Sequence, residues 1–234
     1  MFLNNKKESI VTFINFRGWP DLTIPVPATQ VIPNWYKESQ SRIPNKKDPA
    51  SLPTIKNCMP VFDSMSAGYI LKTPCDVYVS TIDGQINLNP SMRQVIEYHS
   101  IAQAHKHPSK NDANFYKFIN SWGIKTPRGY SCLFIPPSHN SNPWFEIMPG
   151  LVDTDNYTAP VNFPFVLKDL NFEGIIPAGT PMVQIIPFKR EKWSWIKGTD
   201  VEIQKAGEQD RELATRYFHR YKNLFWVKKQ WTEN

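Results

Sequence analysis

PGLVDTDNYTAPVNFPFVLKDLNFEGIIPAGTPMVQIIPFKR, residues 149–190, reads as strand, crossing, strand, tight glycine turn, strand. Its apolar runs are short, rich in β-branched and aromatic residues, and bounded by Asp, Asn, Pro and Gly, the punctuation of strands rather than of helices. Upstream, SWGIKTPRGYSCLFIPP and WFEIMPG continue the same pattern. Further upstream, TIKNCMPVFDSMSAGYILKTPCDVYVSTIDGQINL holds three more strand-like runs, at 55–58, 68–72 and 76–81. The alternation in CDVYVST and the Asp83-Gly84 pair before QINL predict a hairpin. Strands spaced in this way predict a sandwich, jelly roll or small barrel of about eight to ten strands.

The flanks differ in character. SIVTFINFRGW predicts a first strand around Val11, Phe13 and Ile14, after which Pro20, Pro25, Pro27 and Pro33 hold the backbone extended as an arm. A single helical turn after Pro33 is expected to lay Trp35 and Tyr36 on the body of the fold. Residues 39–53 are polar, broken by Pro44, Pro49 and Pro53, and read as a surface loop. Within SMRQVIEYHSIAQAHKHPSKNDANFYKF a short helix is expected at 91–98, followed by a long excursion of the kind that often carries function. After Trp193 the text turns helical, with Leu213, Tyr217, Tyr221 and Leu224 at three- and four-residue spacing. That aromatic helix is expected to pack on the sheet or on a neighbouring subunit. The organisation expected is an N-terminal strand and proline-rich arm (1–53), a β core (54–193) with a His-bearing excursion (91–120), and a C-terminal helical extension (194–234).

The chain has 234 residues, 41% hydrophobic, 13% aromatic and 21% charged, enough to bury a substantial core. No window reaches the roughly eighteen consecutive apolar residues of a membrane span, and MFLNNKKESI has no apolar signal core, so no membrane is expected and a cytoplasmic location is. Three cysteines, Cys58, Cys75 and Cys132, show no CxxC spacing and are expected as buried thiols. The net charge is +6. Lys46, Lys47, Lys56, Lys222, Lys228 and Lys229 spread it over two regions, which reads as solvated surface rather than a nucleic-acid groove.

Three segments, TIKNCMPVFDSMSAGYI, WGIKTPRGYSCLFIPP and GLVDTDNYTAPVNFPFVLKD followed by IPAGTPMVQIIPFKRE, resemble an uncharacterised family of small β-rich proteins of bacteriophages and bacteria, over roughly 54–193. No activity is assigned to that family, so the resemblance implies an origin and a scaffold; the location it implies is host cytoplasm or virion. More remotely the chain resembles the β-clip proteins, the group of dUTPase and dCTP deaminase. Pro149 to Asp153, then residues 162–168, then Gly179 and the run Met182, Val183, Gln184, Ile185 follow that group's strand and turn order. Ala67-Gly68-Tyr69 looks like its first motif and Pro127-Arg128 like the start of its second. The resemblance implies Asp153 at a sugar hydroxyl, orienting a water, and Arg128 at phosphate. The chain departs from the pattern at Ile70, where the group has an acid, at Gly129 and Tyr130, where it has serine, and in lacking a Gly-rich tail after Trp193. The fold expected is therefore mainly β, a jelly-roll or β-clip-like barrel or sandwich.

Three chemistries compete. His99, His105 and His107, with Glu97 or Asp112 near, offer nitrogen donors for a divalent transition metal (Zn, Fe or Mn), as in cupin-like enzymes. Pro108 follows at once and no glutamate stands in register, which favours an exposed polar loop. Asp153 and Asp155 share a face on an extended strand and, with Arg128, are candidate ligand-binding residues; the same DTDN text also makes a good turn. Cys58, Cys75 and Ser131 lack the flanking residues of a nucleophile. The leading expectation is a structural or binding protein without catalytic activity, acting through self-association or another phage or host protein. A metal-dependent jelly-roll enzyme and a β-clip nucleotide binder or dUTPase-like hydrolase are the alternatives.

Overall fold

The computed structural model describes residues 9–44, 51–82, 85–104, 106–107, 115–214 and 220–232. They are mainly β, with sixteen strands in antiparallel sheets and four α-helices. The first half runs β1 (Thr12–Asn15), β2 (Val26–Pro27), α1 (Asn34–Glu38), β3 (Arg42–Ile43), β4 (Leu52–Pro53), α2 (Met59–Ser66), β5 (Tyr69–Lys72), β6 (Val77–Ile82), β7 (Gln85–Pro90) and β8 (Ile96–Tyr98). The second runs β9 (Tyr116–Phe118), β10 (Trp122–Lys125), β11 (Tyr130–Ile135), β12 (Phe145–Ile147), β13 (Gly150–Val152), β14 (Phe163–Leu167), β15 (Gly174–Ile176), β16 (Pro181–Lys189), α3 (Asp200–Ala214) and α4 (Arg220–Leu224). The chain forms two compact units, one from 1–32, 65–190 and 231–234, the other from 33–64 and 191–230.

In the first unit a five-stranded sheet has the order β13-β11-β16-β5-β2, a four-stranded sheet β12-β14-β9-β8, and a three-stranded sheet β15-β6-β7. Among the described residues β1 pairs with β10 alone. The segment 149–190 thus deals its four consecutive strands into three sheets: β13 to the first, β14 to the second, β15 to the third, and β16 back to the centre of the first. Each turn that punctuates this text is a change of sheet. The sheets share one core, in which Leu71, Phe134 and Ile185 of the first meet Phe118, Phe145 and Phe165 of the second and Val77 and Ile176 of the third. Phe118 and Phe165 stack with centroids 4.2 Å apart, and Phe134 reaches Phe163 across the layers at 5.6 Å. Shared burial between facing sheets is the arrangement of a sandwich. Of the barrel and sandwich alternatives it is the sandwich that forms, because among the described residues each sheet ends on edge strands and none closes on itself.

β16 is central because Met182, Val183, Gln184 and Ile185 are all buried, so both of its faces are covered. Gln184, a polar group in that interior, is fully partnered. Its Oε1 accepts from the Ser138 amide at 2.9 Å, and its Nε2 donates to the Ala67 carbonyl at 2.8 Å. Next to it, Gly68 takes φ +69°, and a Cβ there would stand 2.0 Å from the Ile185 carbonyl oxygen. Gly68 is therefore demanded twice, by its backbone angle and by the close pass over β16.

Two local expectations change and a third forms as predicted. The run 55–58 is a 3-10 turn (Ile55–Asn57) followed by α2, begun by the Lys56 amide donating to the Thr54 hydroxyl at 3.3 Å; a short apolar run does not by itself distinguish strand from helix. Residues 91–98 are not a helix: a turn precedes β8, which pairs with β9 in the register Glu97↔Lys117. The hairpin predicted at 76–81 is β6 on β7, from Val77↔Pro90 to Ile82↔Gln85, with Asp83 and Gly84 outside the described residues. The strands also number more than expected, because several are only two or three residues long.

In the second unit the turn after Pro33 forms as α1; Tyr36 is buried and faces Phe62 at 6.2 Å, while Trp35 stays exposed. The Asp63 carboxylate accepts from Trp226 Nε1 at 2.8 Å and Lys229 Nζ at 2.6 Å, which ties the C-terminal run to α2. The helical tail is two helices, and Tyr217 lies outside the described residues. α3 starts on a capping box, the Thr199 amide donating to Glu202 at 2.7 Å, yet none of its residues is buried. No helix among the described residues is long and apolar enough to cross a membrane.

Gly68→Ala is expected to destabilise the protein by about 3 kcal/mol or more, from left-handed strain plus a backbone collision. Gly129→Ala, at φ +87° with nothing within 4 Å of a Cβ, isolates the first cost, about 1 kcal/mol. Urea denaturation of the two variants checks the contrast; equal losses would contradict the close-pass account.

Candidate functional site

The polar cluster of the first unit forms where three backbone segments converge. β11 lies between β13 and β16, with Tyr130 opposite Lys189. Arg190, one residue past β16, therefore falls beside the turn that precedes β11, and its amide donates to the Gly129 carbonyl at 2.7 Å. On the other side, β13 runs into the DTDN turn, in which the Asn156 and Tyr157 amides donate to the Asp153 carbonyl at 3.0 and 2.9 Å. Thr154 points inward, fully buried, sharing a 2.8 Å hydrogen bond with Thr126. Asp153 and Asp155 point to Arg190.

The guanidinium is held as a fork. Nη1 lies 2.8 Å from Asp155 Oδ1 and Nη2 2.6 Å from Asp155 Oδ2. Nη1 also donates to the Tyr130 carbonyl at 3.1 Å and to the Ser131 hydroxyl at 3.0 Å, and it pairs with Asp153 at 3.1 Å. Ser131 in turn donates to Asp153 at 2.7 Å. The Asp155 side chain is only 4% exposed and accepts a further hydrogen bond from the Gly129 amide at 2.8 Å, whereas that of Asp153 is 55% exposed. The Arg190 hydrogen bonds, then the Gly129 amide, hold the Asp155 carboxyl down at about 2.

The two candidate aspartates thus come together, but on a turn rather than on an extended strand, and over a cation supplied by the chain itself. The Arg190 guanidinium lies between the two carboxylates and pairs with both. Arg128 is exposed on the adjoining turn; the cation at the cluster is Arg190. Sequence reasoning missed Arg190. Its signal is the strand register, since pairing β16 with β11 places residue 190 beside residues 129–131, some sixty positions away along the chain.

The histidine candidates fall at the other end of the text. His99 follows β8, is half-buried, and has its ring 4.9 Å from that of Phe115; burial, then the Lys117 charge, lowers its pKa. His107 is exposed, and His105 lies outside the described residues. Among the described residues no group of three or more His, Cys, Asp or Glu is placed to hold a metal. Cys75 and Cys132 are buried and Cys58 half-buried, and burial pushes the Cys132 thiol up, away from nucleophile chemistry. A cavity of about 260 Å³ between Pro136, Phe145, Glu146, Lys168 and Met182 holds a few polar groups over an apolar floor, with Lys168 Nζ donating to the Asn142 carbonyl at 2.8 Å. Comparison with protein-family models and with curated proteins found no match.

Because the folded-state pKa of Asp155 lies below that of an unfolded aspartate, roughly 3.9, its contribution to stability is complete above about pH 4 and is lost as the pH falls toward about 2. Asp155→Asn is therefore expected to melt lower than the wild type at pH 7, and to lose less melting temperature than the wild type between about pH 5 and pH 2. Parallel pH profiles of the two proteins, followed by circular dichroism, would refute the pairing.

Proposed function

We propose that the chain is a structural or binding protein without catalytic activity, of the phage type that its sequence resembles, acting through oligomeric or partner surfaces. The observation that carries this reading is the run 191–203 of the second unit. There Trp193, Trp195 and Ile196 are 82%, 88% and 85% exposed, and Val201 and Ile203 follow on the exposed α3. Large apolar side chains contiguous in the chain and open to water mark a surface that another molecule covers. The first unit offers supporting chemistry: the carboxylates that a β-clip enzyme would turn toward substrate are engaged by Arg190, Ser131 and the Gly129 amide. Groups so engaged fix their own turn, with Asp153 accepting from Ser131 and pairing with Arg190.

The competing enzyme readings differ in what should stabilise the protein. A ligand at roughly 100 times its Kd adds about 2.7 kcal/mol, a rise of several degrees for a chain of this size. Differential scanning fluorimetry with dUTP, dCTP, Zn²⁺ and Mn²⁺ is expected to show no such rise. A nucleotide-dependent rise abolished by Asp153→Asn would replace this reading with the β-clip one. A metal-dependent rise abolished by His105→Ala and His107→Ala would replace it with the jelly-roll enzyme. Quantitative mass spectrometry of particles from a phage that encodes the chain is expected to find it at fixed copy number.

A further inference from the structure

The exposed apolar groups of the second unit do not stop at α3. Tyr221, Leu224 and Val227 in the run 220–229 are exposed as well. Trp193, Trp195, Ile196, Val201 and Ile203 offer on the order of 700 Å² for burial. An ordinary monomer's largest apolar patch ends near about 600 Å², and a stable interface takes about 800 Å² from each partner. Those five alone exceed the first figure, and with Tyr221, Leu224 and Val227 the exposed apolar total of the unit reaches the second.

Charge says what covers it. α3 carries Asp200, Glu202, Glu208, Asp210 and Glu212 against Lys205 and Arg211, a net −3 in a chain whose total is +6. The run 220–229 carries Arg220, Lys222, Lys228 and Lys229 and no acid, a formal +4 of which Lys229 is already paired with Asp63 of the same unit. One unit thus presents an acidic and a basic segment, each studded with exposed apolar groups. In a two-fold dimer every contact occurs twice, so α3 of one copy can face 220–229 of the other and the reverse, whereas α3 against α3 would set −3 on −3. Asp210 lies three residues before Leu213 and seven after Ile203, which puts an acid on the same helical face as those apolar side chains.

We infer that the partner is a second copy of this chain, held by reciprocal contact of acidic α3 with the basic run 220–229, with Trp193, Trp195 and Ile196 buried in the same interface. This rests on the assembly reading above and narrows it to self-association. The steering is electrostatic and the burial apolar, so added salt slows the encounter while the apolar contact persists.

Sedimentation velocity of the full chain across roughly 1–100 µM tests it, the range in which an interface of this size is expected to reveal its Kd. The wild type is expected at twice the chain mass at the upper end. Trp193→Ser with Trp195→Ser, both in open solvent, is expected to give a monomer that melts with the dilute, monomeric wild type. Glu208→Lys with Asp210→Lys, and separately Lys222→Glu with Lys228→Glu, are each expected to weaken association at least tenfold. Mixing the two charge variants is expected to restore it as a heterodimer. A wild type that is monomeric throughout, a dimer indifferent to loss of the two tryptophans, or charge variants that fail to complement each other would each overturn the inference. A monomer found at fixed copy number in particles would leave the assembly reading standing, and a dimer absent from particles would leave only the self-association.

Discussion

The first unit is organised by what crosses β16. Its central residues are buried on both faces, so everything that packs on them must do so without leaving an unpaired polar group. Gly68 permits the backbone before β5 to pass against the Ile185 carbonyl, and Gln184 ties the same stretch, at Ala67, to Ser138 on the far side. Those two adjacent constraints fix where β5 enters the sheet, and from there the pairing Gln184↔Ile70 sets the register. A one-residue slip would carry the Gln184 side chain away from Ala67 and the Ile185 carbonyl away from Gly68, breaking both constraints at once. The same logic operates at Gly123 of β10, where a Cβ would stand 2.2 Å from the Thr158 carbonyl of the crossing that follows the DTDN turn.

From that centre the segment 149–190 works as a stitch. It leaves the five-stranded sheet at β13, adds β14 and β15 to the other two, and returns as β16. Arg190 closes the stitch, joining the end of β16 to the turn after β13 and the turn before β11 through one guanidinium. A planar fork with five donors suits this task, since it satisfies a carboxylate in two bonds and still reaches a carbonyl and a hydroxyl. The residues that resemble a nucleotide site thus have a structural employment.

The mainly β class was legible because apolar runs of strand length stand between Gly, Pro, Asn and Asp, and that local grammar survives packing. The assignment of strands to three sheets was not, because it is decided by pairings such as Phe134↔Ile185 and Phe163↔Phe118, between residues about fifty positions apart. Residues 91–98 misled for a related reason: the text has no clean strand period, yet 96–98 become a strand by pairing with β9. Asp153 and Asp155 were found as a pair from their spacing. Their partner was not, since nothing in the text near Arg190 marks it apart from other basic residues at strand ends.

If the account is right, the two units differ in where their protection comes from: the sandwich from its own core, α3 from another copy. Hydrogen–deuterium exchange read by peptide at low and high protein concentration measures this directly. Amides of β16 are expected to exchange slowly and equally at both concentrations, while those of 200–214 exchange rapidly when dilute and become protected when concentrated. Exchange in 200–214 that is independent of concentration, or β16 amides that open as readily as those of α3, would contradict it.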